Sequence, residues 1–236
     1  MLSSNLANVR IRKDCPLSFL ITDSKEGWAN VKCRLYDFEF TAYVATIWYT
    51  SMPTGLLEAA YFFLDYLNTN EGEKFNIKVV YLDKEFIDDE GKSWTDVPKR
   101  VRFVWDEEPS KYVWNIEINL QDINKNNARL NFTIEEVGDE KILNKEFLDE
   151  EISDKNPSYK FKDVLLSDFA YAVAKCFTEC LKKYGINGYH LNTWDDDISI
   201  RQLLVVKAFA LGLLSKSNEA YNLNFEDELQ LLLMDM

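Results

Sequence analysis

The 236 residues contain one histidine, His190. A site built on several imidazoles is therefore excluded within the chain. A Ser/His/Asp or Cys/His mechanism would have to run through that single ring. Four cysteines, Cys15, Cys33, Cys176 and Cys180, make no Cys-x-x-Cys and no zinc-finger spacing. The eight glycines include no Gly-x-Gly-x-x-Gly and no phosphate-cradling loop ending in Gly-Lys-Ser/Thr, so the common nucleotide-binding designs are absent. No Gly-x-Ser-x-Gly supplies a nucleophile elbow. The longest clearly apolar run, Ala208–Leu214, is far short of the ~20 residues a membrane-spanning helix needs. The residues ahead of Asp14 contain no apolar stretch of the secretory kind. A cytoplasmic protein with reduced thiols is expected, with no cofactor and no metal.

Positive charge is also scarce. Lys and Arg number 27 against 40 Asp and Glu, for a formal net charge of −13. Residues 106–160 alone hold 7 basic and 14 acidic residues, more than half of the excess. Such a field repels nucleic-acid phosphates and anionic lipid, and it attracts cations and basic proteins. No nucleic acid and no membrane is expected as a partner.

What the chain does have is apolar and aromatic bulk: 47% hydrophobic and 14% aromatic residues, enough to build a sizeable core. Its periodicities predict an α+β fold. Residues 16–23 read as a strand. Residues 31–49 are β-rich, with the phase of alternation changing at Tyr36–Asp37, where a bulge or turn is expected. Tyr43, Ala45, Ile47 and Tyr49 make its second face apolar as well, which predicts a central strand covered on both sides. Leu56, Ala60, Phe63, Leu64 and Leu67 form a helical stripe over residues 54–69. Four alternating segments follow, carrying Phe75–Tyr81, Val101–Trp105, Tyr112–Leu120 and Ala128–Ile134, with a hairpin at residues 106–111. Their partners Arg102, Asn115, Glu117, Asn119, Arg129, Asn131 and Thr133 are expected to face solvent.

The expectation is a single domain over residues 1–236. In it, an antiparallel sheet of about five to seven strands packs against one helix within residues 1–136. An acidic connector spans 137–160, and a helical part spans 161–236. In that last third, Phe169, Val173, Cys176, Phe177, Cys180 and Tyr184 share one helical face and read as core. Gly185 is placed to end that helix. Ser199-Ile-Arg-Gln202 matches a capping box. A short terminal helix is expected within residues 224–236.

Two acidic clusters stand out as candidate partner-binding surfaces: Asp106, Glu107 and Glu108 in the hairpin loop, and Asp195, Asp196 and Asp197 beside Trp194. Carboxylates just before a helix are favoured by its dipole. The same triple could hold a divalent cation, although it lacks the glycine and terminal glutamate of a calcium loop. His190 lies close by in sequence.

A strand pair containing Phe38-Glu-Phe40 and Ile47-Trp-Tyr49, a covering helix with Leu56-Leu57 and Phe62-Phe-Leu64, an antiparallel meander and acidic loops together span residues 28–136. In organisation and acidity this resembles the immunity proteins of bacterial polymorphic toxin systems. The resemblance implies tight, non-catalytic neutralisation of a cognate toxin, often a basic nuclease, and carries no site residue onto this chain. The leading expectation is accordingly an acidic binding protein with no catalytic residue, directed at a basic protein. One alternative is a carboxylate- or metal-dependent enzyme near Asp195–Asp197 and His190. The other is a structural subunit that forms a homodimer through Leu229–Leu233.

Overall fold

The computed structural model describes residues 14–45, 53–64, 78–81, 86–87, 93–94, 98–106, 110–119, 128–138, 158–193, 196–213 and 223–236. The first sheet is an antiparallel meander of β1 (Leu17–Lys25), β2 (Trp28–Leu35) and β3 (Phe38–Ala45). Helix α1 (Gly55–Leu64) follows. The second sheet has the order β10-β9-β8-β7-β4, from β4 (Lys78–Tyr81), β7 (Pro98–Asp106), β8 (Ser110–Asn119), β9 (Arg129–Gly138) and β10 (Ser158–Leu165). Strands β5 (Phe86–Ile87) and β6 (Ser93–Trp94) pair only with each other. Helices α2 (Leu166–Thr193), α3 (Ile200–Ala210) and α4 (Phe225–Leu233) complete the chain.

The α+β class follows from the sequence patterns, but the expected single sheet of five to seven strands against one helix does not form. Two sheets form instead, each with one apolar face. Leu17, Phe19 and Ile21 of β1, Val31, Cys33 and Leu35 of β2, and Ala42 and Val44 of β3 are buried on one side of the first sheet. Val101, Phe103, Trp105, Trp114, Ile116, Ile118, Leu130, Phe132 and Ile134 are buried on one side of the second. Two small faces of this kind can both leave water only by meeting each other and the helices. Trp114 marks the junction. It stacks on Phe103 at 5.6 Å between centroids and lies within 6.2 Å of Phe19, 6.0 Å of Phe40 and 4.9 Å of Trp105. Phe169 of α2 touches both sheets, through Phe19 at 6.1 Å and Phe132 at 5.1 Å. Helix α2 runs along β1, and α1 sits on α2, α3 and β7.

Three further departures have local causes. The chain turns at Tyr36–Asp37 as the phase change predicts, with Tyr36 at a φ of 55°. The strand that follows, β3, is an edge strand and not a central one: its Glu39, Thr41 and Tyr43 face solvent, and Ile47 and Tyr49 lie outside the described residues. The back of the second sheet is less open than its polar residues imply. Arg102, Asn115 and Glu135 are buried there beside a small cluster of Val104, Val113 and Val137. Finally, residues 158–165 straddle the expected connector and helical part, yet they pair with β9 as β10. Helix α2 starts only at Leu166.

The end signals are sound. The Ser199 hydroxyl accepts from Gln202 N–H, and the Asn224 side chain accepts from Asp227 N–H at 2.9 Å. Gly185, with φ 71° and ψ 173°, breaks the helical backbone as its placement predicts, so α2 is two helical segments meeting at a kink there. The buried Lys207 closes α4 by donating to the carbonyls of Leu232 at 3.2 Å and Met234 at 2.5 Å, and burial lowers its pKa to about 8. Late helical carbonyls lack partners within the helix, so a cation there supplies the missing donor.

Replacing Trp114 by Ala is expected to cost about 3–5 kcal/mol in chemical denaturation, the usual penalty for deleting a large core aromatic. A loss below about 1 kcal/mol would contradict its place between the sheets.

Candidate functional site

The residues between the bend of α2 and the start of α3 hold most of the unusual chemistry. Asp196 and Asp197 are neighbours with opposite fates. Asp196 is buried and accepts hydrogen bonds from the Thr54 hydroxyl on one carboxylate oxygen and the Tyr189 hydroxyl on the other. The Thr54 main-chain N–H also donates to it. Thr54 immediately precedes α1, and its carbonyl accepts from Glu58 N–H at 2.9 Å. One carboxylate, 142 residues from Thr54 in sequence, therefore ties the entrance of α1 to the last turns of α2. Thr193 closes the loop, its hydroxyl reaching the carbonyls of Tyr189 at 2.8 Å and Asp196 at 3.0 Å. Burial raises the Asp196 carboxyl to about pKa 6, against the donors from Thr54 and Tyr189, which favour the charged form. Burial and the adjacent Asp196 push the Tyr189 phenol well up, so it remains a donor. An acid with raised pKa can mark a catalytic group, but here both oxygens are taken by structural donors. Asp196 faces inward and offers nothing to a partner surface, which corrects its expected place in the exposed acidic cluster.

Asp197 points outward, with Oδ1 lying 2.8 Å from His190 Nδ1, and both side chains are exposed. Trp194 and Asp195 lie outside the described residues, as do Glu107 and Glu108. Asp106 is the last residue of β7, paired with Lys111, and its side chain is not among those described. The hairpin expected at residues 106–111 is formed by β7 and β8.

Cys33, Cys176 and Cys180 are buried, as their spacing predicted for the two helical ones. Burial pushes the Cys176 thiol up to about 12 and raises the other two, which makes them poor nucleophiles. Among the described residues, no group of three or more His, Cys, Asp or Glu side chains converges on a point that would hold a metal. On α4, Leu231 is buried while Phe225, Leu229 and Leu233 are 76%, 44% and 69% exposed. The Leu-rich end is thus divided between core and surface.

A concave site that the sequence did not mark lies on the outer face of the first sheet. It has a volume of about 510 Å³ and is lined by Asp23, Lys25, Glu26, Trp28, Asn30 and Tyr43. Its origin is an irregularity in β1. Phe19 and Ile21 point to the core opposite Cys33 and Val31, but the register shifts between Ile21 and Asp23. After that shift Ser24 points inward opposite Ala29, while Asp23 and Lys25 join Asn30 and Trp28 outside. A bulge re-aims side chains in this way. The two-residue turn Glu26–Gly27 has φ of 55° and 81°, the both-positive geometry that matches the twist of a hairpin. Gly27 N–H donates to the Asn192 carbonyl at 2.9 Å, so the cavity is anchored to the end of α2, near His190 and Asp197. The available signal was the aromatic pair Trp28 and Tyr43 at outward positions of β2 and β3, although the alternation predicts a covered face for Tyr43.

The fold and this surface define an α+β protein of two antiparallel sheets braced by helices. No protein-family model, curated protein or solved structure matches the chain.

Two outcomes test the roles of the acids. Asp196 has a folded pKa of about 6 against an ordinary 3.8, so the stability linked to its proton is fully present below pH ~3.8 and is lost as pH rises through about 6. Denaturation of wild type and Asp196→Asn across pH is expected to show the wild type's relative stability falling by roughly 2–3 kcal/mol between pH 3.5 and 7.5, at ~1.4 kcal/mol per pKa unit. Parallel pH curves would remove the buried-acid assignment. His190→Ala, at an exposed pair, is expected to change stability by less than about 1 kcal/mol in the same assay, and a larger loss would give the pair a structural role.

Proposed function

We propose that the protein is a non-catalytic acidic binding protein that recognises a basic protein partner in the cytoplasm, in the manner of an immunity-type inhibitor of a toxin or nuclease. The observation that carries this reading is the net charge of −13, more than half of it within residues 106–160. Charge of one sign on this scale draws an oppositely charged partner in from a distance and fixes its orientation. The use of Asp196 as an internal tie, and the burial of three of the four thiols in the core, support binding over chemistry.

The partner is to be isolated from the native host on the immobilised protein, identified, and purified. Its association rate is then measured at low and high salt. Wild-type association is expected to slow steeply with salt, because the screening length falls from about 30 Å at 0.01 M to about 10 Å at 0.1 M. The variants Asp106→Lys/Glu107→Lys/Glu108→Lys and Asp195→Lys/Asp197→Lys are expected to associate more slowly at low salt, with dissociation changing less. Asp196 is left intact because reversing a buried charge would break the Thr54–Tyr189 tie. A partner that is acidic, or association that is independent of salt in all three proteins, would sink the reading.

A further inference from the structure

The cavity on the first sheet combines three features that rarely meet by packing alone. Its lining includes a stacked aromatic pair: Trp28 and Tyr43 lie 4.7 Å apart with planes 11° from parallel. Tyr43 remains 44% exposed, so the stack stands at the surface. The lining also carries two carboxylates, Asp23 and Glu26, and the Asn30 amide. All of these positions are set by backbone: the shift in β1 turns Asp23 outward, the both-positive turn presents Glu26, and direct cross-strand pairing sets Asn30 beside Tyr43. The Gly27–Asn192 hydrogen bond holds the hairpin tip against α2, so the site is largely formed before any ligand arrives.

We propose that this cavity receives an arginine side chain of a basic protein, with the guanidinium lying on the outer face of the Trp28–Tyr43 stack and donating to the carboxylates of Asp23 and Glu26. A guanidinium is planar and weakly hydrated, so it stacks on aromatic faces while its fork of N–H donors meets carboxylates in the ring plane. A lysine ammonium has no flat face to place on the stack. A phosphate-bearing ligand would meet two carboxylates whose nearby cations, Lys25 beside Glu26 and Lys183 at the Thr22 carbonyl, are already engaged, on a chain of net charge −13. A neutral sugar could stack here, but it would gain nothing from that charge. The lining cation, Lys25, is held 3.3 Å from Glu26 in a solvent-exposed pair. Exposed pairs of this kind are weak and rearrange readily, so Lys25 can swing aside as the guanidinium enters. Asp23 Oδ1 accepts from Ser24 N–H at 3.0 Å, which orients the carboxylate and leaves it further acceptor capacity.

The proposal rests on the basic-partner reading and names the contact through which that partner would be held. It can be tested without the partner, so the two stand or fall separately. The full-length protein is titrated with end-capped tri-arginine, tri-lysine and cellobiose while the Trp28 indole N–H is followed by NMR. Tri-arginine is expected to give a saturable shift with at least tenfold higher affinity than tri-lysine, weakened by added salt, and cellobiose is expected to give none. Tyr43→Ala and Asp23→Asn/Glu26→Gln should each weaken tri-arginine binding at least fivefold, and the same spectra report that both variants fold. Absence of a saturable shift, equal binding of tri-lysine, unchanged affinity in the variants, or binding of cellobiose without tri-arginine would each overturn it. Failure here leaves a basic partner possible at the other acidic residues. Failure of the partner experiment leaves tri-arginine binding as a separate fact.

Discussion

The fold depends on the need of two small sheets to hide one apolar face each. Neither could do so alone: a three-stranded meander and a five-stranded sheet each leave a row of large apolar side chains uncovered. Trp114 resolves this by standing in both cores, flat against Phe103 and edge-on to Phe19. Phe169 repeats the device from α2, reaching Phe19 and Phe132. Large aromatic groups suit such a seam, because each buries much area at small entropic cost and tolerates several ring geometries. The position of α2 along β1 follows from that seam, and the positions of α1 and α3 follow from α2.

A second constraint is polar. Burying a carboxylate is costly unless donors meet it, and Asp196 is met by Thr54 and Tyr189. Chain segments far apart in sequence are joined there, where the apolar core alone would not specify a register. Lys207 does similar work for α4, giving its ammonium to carbonyls that would otherwise be unpaired. Both residues are charged by type and internal by position. Their presence inside restricts how the helices can slide over one another.

The surface divides accordingly. Among the described residues Asp23, Glu26, Glu39 and Asp197 stay outside, on a chain whose charge is strongly one-signed. The bulged β1–β2 hairpin gathers two of them beside an aromatic platform and ties that platform to the end of α2 through Gly27 and Asn192. Recognition of a cation by a rigid sheet face requires little ordering at the moment of binding. The same bulge that spoils the regular pairing of β1 is what gives the face its concavity.

Much of this was legible in the sequence. Alternation every second residue marked β8 and β9, the phase change at Tyr36–Asp37 marked a turn, and Ser199 and Asn224 marked helix starts. These are local signals, set by side-chain period and capping chemistry within a few residues. The sequence also determined the acidity and the lack of familiar catalytic motifs. It did not determine how strands divide between sheets, because an alternating strand suits any partner that offers an apolar face. It did not separate Asp196 from Asp197, because adjacent residues differ in fate only when a distant donor such as Thr54 is brought to one of them. Nor did it reveal the cavity, whose lining comes from three strands and depends on a one-residue register shift. Those decisions belong to the tertiary structure, where residues far apart in the chain first share a surface.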